Sequence, residues 1–146
     1  MAITQAIANA FKKQLLECDA NFKSSGGDKF KLALYTSSAT LNSSTTAFTT
    51  SGEVSNTGTY ASGGDPLAGQ NTSIASGVAI VDFADLSFTG VTLTARGAMI
   101  YNTSSAVTNA AVAILDFGAD KTATSGTFTI QFPAFTTAAA ILRISG

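Results

Sequence analysis

The sequence predicts a mainly β protein: an antiparallel β-sandwich, of jelly-roll or immunoglobulin-like type, with one N-terminal amphipathic helix. Three observations predict it. Apolar residues recur at helical spacing only before residue 25. From Phe30 onward the apolar period is two. Short apolar runs then recur between Gly, Asn and Pro turn residues, as in a sandwich or barrel. A helix that appears only at the start excludes a repeated βαβ architecture. The 146 residues fit one domain, read as a helix and linker over 1–25 and a β-sandwich over 29–146. A chain of this length buries about 68–70% of the surface its unfolded form exposes, so the core needs no metal or disulfide.

Ile3, Ile7, Phe11, Leu15, Cys18 and Phe22 are spaced by three and four and share one helical face. Thr4 serves as N-cap or first-turn residue, Lys12, Lys13, Gln14 and Glu17 fall near the opposite side, and Ser24-Ser-Gly-Gly-Asp28 ends the element. The helix is expected to pack on a sheet of its own chain; an arm docked on a neighbouring subunit is the alternative. Cys18 has no cysteine partner, and its place on the apolar face predicts a buried, inert thiol.

Phe30, Leu32 and Leu34 alternate with Lys31, Ala33 and Tyr35, the pattern of a half-buried strand. The tract 36–58 is rich in Ser, Thr, Asn and Gly, whose side chains compete for the backbone and favour irregular structure. Loops longer than about 12–15 residues are usually functional or disordered. Leu41, Phe48 and Val54 are spaced along this one, which predicts that it is pinned, on its own core or on a partner. A weak strand follows at 59–61, then the turn Gly63-Gly-Asp-Pro66. The remaining strands are predicted at 74–83, 87–94, 98–101, 110–117, 127–132 and 140–144, with Gly90, Gly97, Gly118, Ser125-Gly126 and Pro133 among the breaks.

The chemistry available is sparse. The chain has no His, no Trp and one Cys, which closes Ser-His-Asp and Cys-His catalysis and the histidine-bearing zinc sites. Asp, Glu, Lys and Arg make up 12% of residues, about half the roughly 25% of an ordinary domain, so the surface is nearly neutral and suited to lying against other protein. Asp116-Phe-Gly118 spells a kinase magnesium motif, but no glycine-rich phosphate loop or catalytic loop accompanies it. The pairs Asp82/Asp85 and Asp116/Asp120 fall where strands run into turns, where aspartate bonds its own backbone. Asp116 and Asp120 with backbone carbonyls are the one set that could take calcium, a weak signal because oxygen ligands are common. No catalytic residue, cofactor or metal is expected.

A net charge of -1, with Lys12-Lys13 and Lys29/Lys31 the only close basic pairs, gives no footprint for nucleic acid. No apolar run is long enough to span a bilayer, and the opening residues lack the basic start of a secretion signal, so no membrane partner is expected and synthesis is placed in a cytoplasm. A glycan-binding sandwich is the alternative of another class. It would stack sugars on an exposed tyrosine such as Tyr60 or Tyr101. Candidate contact residues are Leu41, Phe48, Val54 and Tyr60, apolar side chains inside a polar tract. The competing reading is that they cap the chain's own core.

Several stretches resemble a family of small virion structural proteins of tailed bacteriophages. Met1-Ala-Ile-Thr-Gln-Ala-Ile7 with Phe11-Lys-Lys-Gln-Leu-Leu16 is similar to its N-terminal helix. Phe30-Lys-Leu-Ala-Leu-Tyr-Thr-Ser-Ser-Ala-Thr-Leu41 resembles its first strand and loop. Thr94-Ala-Arg-Gly-Ala-Met-Ile-Tyr-Asn102 and Ala113-Ile-Leu-Asp-Phe-Gly-Ala-Asp-Lys-Thr122 resemble its central block. Thr127-Phe-Thr-Ile-Gln-Phe-Pro133 and Ala140-Ile-Leu-Arg-Ile144 resemble its closing strands. The series runs in order over nearly the whole chain, with 43–76 matching least. The resemblance implies a particle component: a capsid decoration (cement) protein on the outside of the virion, or a tail or head-fibre module. For the decoration role the expected partners are the major capsid protein and further copies of this chain, a closed homo-oligomer such as a trimer at local threefold positions.

Overall fold

A computed structural model describes residues 2–136 and 140–145, so Met1 of the expected helical unit lies outside the described residues. The described chain is mainly β and antiparallel with one short N-terminal helix, as the sequence predicts.

The N-terminal segment departs from the expected long helix. Ala6–Ile7 is a strand, β1, and only Asn9–Leu16 is helical, α1. A spacing of four residues fits a strand face as well as a helix face, so Ile3 and Ile7 satisfy both periods. The strand wins because the segment has backbone partners: Ala6 pairs with Ile114 and Ile7 with Ala113, while Thr4 N–H donates to the Leu41 carbonyl at 2.9 Å. The helix stops in a Schellman turn, with Asp19 N–H on the Gln14 carbonyl and Cys18 N–H on the Leu15 carbonyl. Cys18 occupies the left-handed position of that turn at φ 60° and is exposed, which corrects the expected buried thiol. An L-residue there is strained by about 1–2 kcal/mol. Cys18→Gly is expected to raise stability by about 0.5–1 kcal/mol after glycine's extra backbone entropy is subtracted. An unchanged urea midpoint would refute this account of the helix end.

Two long strands dominate the main sheet. Leu86–Asn102, β6, and Ala110–Ile130, β7, form one antiparallel hairpin running from Leu86↔Ile130 to Asn102↔Ala110. The sequence predicts two shorter strands in place of each. Residues taken as breaks are absorbed instead as bulges, with register shifts at Phe88/Val91 and Ala95/Gly97. Phe30–Tyr35, β2, pairs with β6 from Phe30↔Asn102 to Tyr35↔Gly97, and Asp65–Pro66, β3, closes that side. The order is β1-β7-β6-β2-β3. β2 is buried on both faces, not half-buried, because the polar tract after it lies across its second face.

The second sheet has the order β4-β5-β8, from Asn71–Ala75, Val78–Asp82 and Leu142–Ser145. The single strand expected at 74–83 is a hairpin. Its two-residue turn, Ser76-Gly77, has φ of 51° and 76°, the left-handed pair that a type I′ turn requires.

One hydrophobic cluster runs from Ile3 to Leu142. Its centre is a run of phenylalanine rings. Phe22 stacks on Phe30 at 4.5 Å and 5°, meets Phe11 edge-on at 5.8 Å, and Phe83 touches Phe22, Phe30 and Phe132 at 6.3, 5.6 and 6.3 Å. These rings tie the helix, its linker and β2 to the segments flanking the β6–β7 hairpin. Val81 and Leu142 bring the small sheet onto the same core.

Candidate functional site

The small sheet alternates side chains between two faces, so cross-strand partners fall in rows. Ile74, Ala79 and Ile144 form one row, and Thr72, Val81 and Leu142 form the next on the same face. The second row belongs to the core at Leu142 and Val81. The first row does not: Ile74 is 72% exposed and Ile144 60%. Across from this face stand α1 and the linker after it. Between them is a cleft of about 730 Å³, lined by Phe11, Leu15, Leu16, Val81, Leu142 and Ile144 among others.

Leu16 is the most exposed large apolar side chain of the described chain, at 88%. Leu15 packs against the core, and neighbours on a helix point in different directions, so Leu16 must project. Four large apolar side chains are exposed among the described residues: Leu16, Ile74, Val107 and Ile144. Two of them line the cleft and a third continues its row. Scattered exposed apolar residues are normal; a cluster beside a concavity is a feature shared by protein contact surfaces and ligand grooves. The charged residues lining the cleft are Lys12, Lys23 and Arg143, all cationic.

The contact residues expected from sequence are elsewhere and turned inward. Leu41, Val54 and Tyr60 are 0%, 6% and 1% exposed, inside the chain's own core. Phe48 is half-buried and stacks on Tyr101 at 4.9 Å. They cap the core beneath the polar tract, and this corrects the expectation that they offer a contact surface. The tract is pinned by bridges at Ile3↔Leu41, Tyr35↔Glu53 and Ala47↔Ala110. The strand expected at 59–61 is reduced to the bridge Thr57↔Tyr60.

A polar network fastens the far end of this tract. Leu34 N–H donates to the Tyr60 hydroxyl at 2.9 Å, and that hydroxyl donates to Glu53 Oε1 at 2.8 Å. Glu53 also accepts from Ser62 Oγ at 2.8 Å and Gly63 N–H at 2.6 Å. The Tyr35 hydroxyl donates to the Thr49 carbonyl at 2.6 Å, and the Tyr101 hydroxyl to that of Gly63. All three tyrosines are buried, so none offers the open ring that sugar stacking needs.

Burial, with the Glu53 carboxylate adding to it, raises all three phenols, Tyr101 to about 12 and the other two further. The unfolded chain ionises near pH 10. Stability is therefore fully present below about pH 10 and falls as pH rises from there towards the folded values, by up to about 1.4 kcal/mol per pH unit for each phenol. Phenolate absorbance should appear together with loss of β-sheet circular dichroism. Ionisation well ahead of unfolding would contradict the buried network.

The carboxylate pairs do not converge on a reacting centre. Asp85 Oδ1 accepts from Phe132 N–H at 2.9 Å, and Asp82 ends β5. Asp116 lies within β7, not at its end, where the Gly118 N–H and then Arg96 hold its carboxyl below the usual carboxylate range. Among the described residues, no three His, Cys, Asp or Glu side chains come together as a metal site, and no helix is long and apolar enough to cross a membrane. No protein-family model, curated protein or solved structure matches the chain.

Proposed function

We propose that the protein is a structural component of a tailed-phage virion, and within it a capsid decoration protein that binds the outer surface of the major capsid lattice and stabilises it. The observation that carries the binding part is the gathering of Leu16, Ile74 and Ile144 around one apolar cleft. The virion part rests on the ordered resemblance of the sequence to small phage structural proteins. Low surface charge and buried phenols support association over catalysis.

A packaged genome presses outward on its shell. A β-rich body bound across capsid subunits adds contact area that expansion must break. At ~25 cal/mol per Å², several hundred Å² of apolar contact gives several kcal/mol before association costs. Symmetric copies multiply that, and a closed homo-oligomer such as a trimer at local threefold positions suits such a lattice.

The protein would be made in the host cytoplasm and end on the capsid exterior. The test is to disrupt virions, separate heads from tails, and locate the protein, then measure heat release of DNA from particles without it. Recovery with heads and earlier DNA release support the reading. Recovery with tails alone, or unchanged shell stability, overturns the cement role.

A further inference from the structure

We propose that the cleft between α1 and the β4-β5-β8 sheet receives an apolar segment flanked by acidic residues, contributed by a capsid subunit; this rests on the virion reading above. Three features of the cleft specify that chemistry. Its wall is apolar, with Phe11, Leu15, Val81 and Leu142 at the base and the exposed Leu16 and Ile144 at the mouth. Its volume of about 730 Å³ lies within the roughly 300–1,000 Å³ of ordinary binding pockets, room for a few side chains and not for a folded body. Its lining carries the exposed Lys12 and Lys23 and no carboxylate, on a chain whose net charge is -1. A partner that complements it brings apolar side chains to the centre and negative charge to the rim.

A second copy of this chain is a poor donor of that segment. Of its nine acidic side chains, Glu17 bonds Lys13, Asp19 the Ala106 N–H, and Asp28 both Asn21 and Asn102. Glu53 is held in the tyrosine network, Asp85 caps Phe132 and Asp116 faces Arg96. Of the other three, Asp65 and Asp82 are half-buried and only Asp120 is exposed, so a second copy brings one open, unengaged carboxylate where the segment needs acid on both flanks.

The test uses empty shells of the phage that encodes the chain, stripped of this protein, and measures rebinding of the purified full chain by co-sedimentation. Leu16→Asp and the pair Lys12→Glu with Lys23→Glu alter exposed side chains, and thermal melts confirm that each variant is folded. Each is expected to weaken rebinding by at least about tenfold, while Val107→Asp, exposed but outside the cleft, stays within about twofold. Wild-type binding should fall as salt rises, and that dependence should flatten in the double lysine variant. If wild type binds and the cleft variants bind equally well, the cleft assignment is wrong and the virion reading stands. If wild type binds no shell, both fall. If Leu16→Asp instead dissociates a homo-oligomer while shell binding persists, the cleft joins copies of this chain and the proposal is overturned.

Discussion

Phe30→Ala should lower stability by about 4–5 kcal/mol, the largest effect expected of any single truncation here. Phe30 is 1% exposed and holds the middle of the ring cluster, stacked on Phe22 at 4.5 Å and tilted against Phe83 at 5.6 Å. Removing the ring leaves a cavity between segments that cannot readily close on it, because Phe30 is also fixed by its pairing to Asn102 and by Leu67 N–H on its carbonyl. Two aromatic contacts of about 0.5–1.5 kcal/mol each are lost with the ring. For a chain of this size the melting temperature should drop by about 10–15 °C. A loss under about 2 kcal/mol in urea titration would mean that the rings do not tie β2 to the helix linker and the segments flanking the β6–β7 hairpin.

Gly64→Ala is expected to cost about 3 kcal/mol or more, although it adds a single methyl. The backbone at Gly64 has φ +70°, and a Cβ there would lie 1.7 Å from the Leu32 carbonyl oxygen and 2.9 Å from Ala33 Cα. Left-handed geometry alone costs a side chain about 1–2 kcal/mol. The contact adds the larger part, because the obstacle is the backbone of β2, paired on its other side to β6. Relief requires β3 to part from β2 at Leu32↔Asp65, next to the Gly63 end of the Glu53 network. Gly77→Ala is the control: its φ is +76°, but nothing lies within 4 Å of its Cβ position, so only about 1 kcal/mol is expected. Equal urea midpoints for the two variants would show that the Gly64 contact relaxes freely.

The fold class was readable because period-two alternation reports burial directly, as at Phe30, Leu32 and Leu34. Strand ends were not. Glycine in a strand reads alike whether it ends the strand or bulges within it, so Gly97 and Gly118 read as stops in what are continuous strands. The turn at Ser76-Gly77 is hidden for the opposite reason, since the apolar run around it masks it. At the N-terminus, the spacing of Ile3 and Ile7 serves two periods, and the deciding fact, the open edge of β7 at Ala113–Ile114, is more than a hundred residues away.

The site was harder to read. Leu41, Val54 and Tyr60 stood out as apolar residues in polar surroundings, yet such residues are what a polar tract uses to hold itself down. The residues that do stand exposed, Leu16 and Ile144, sit in ordinary amphipathic patterns. Adjacent Leu15 and Leu16 carried the one local clue, since two successive helix residues cannot both face the same core. Which faces meet across the cleft depends on β8 pairing with β5, a contact between distant parts of the chain.

The pairing of the first strands with the last third of the chain has a consequence for biosynthesis. Ala6 leaves the ribosome long before Ile114, its partner, has been made, and β2 waits likewise for residues 97–102. At ~5–20 residues per second, the amino-terminal strands spend on the order of 5–20 s without their neighbours. Folding is thus post-translational for the main sheet, and nascent chains on polysomes are where chaperone engagement should concentrate.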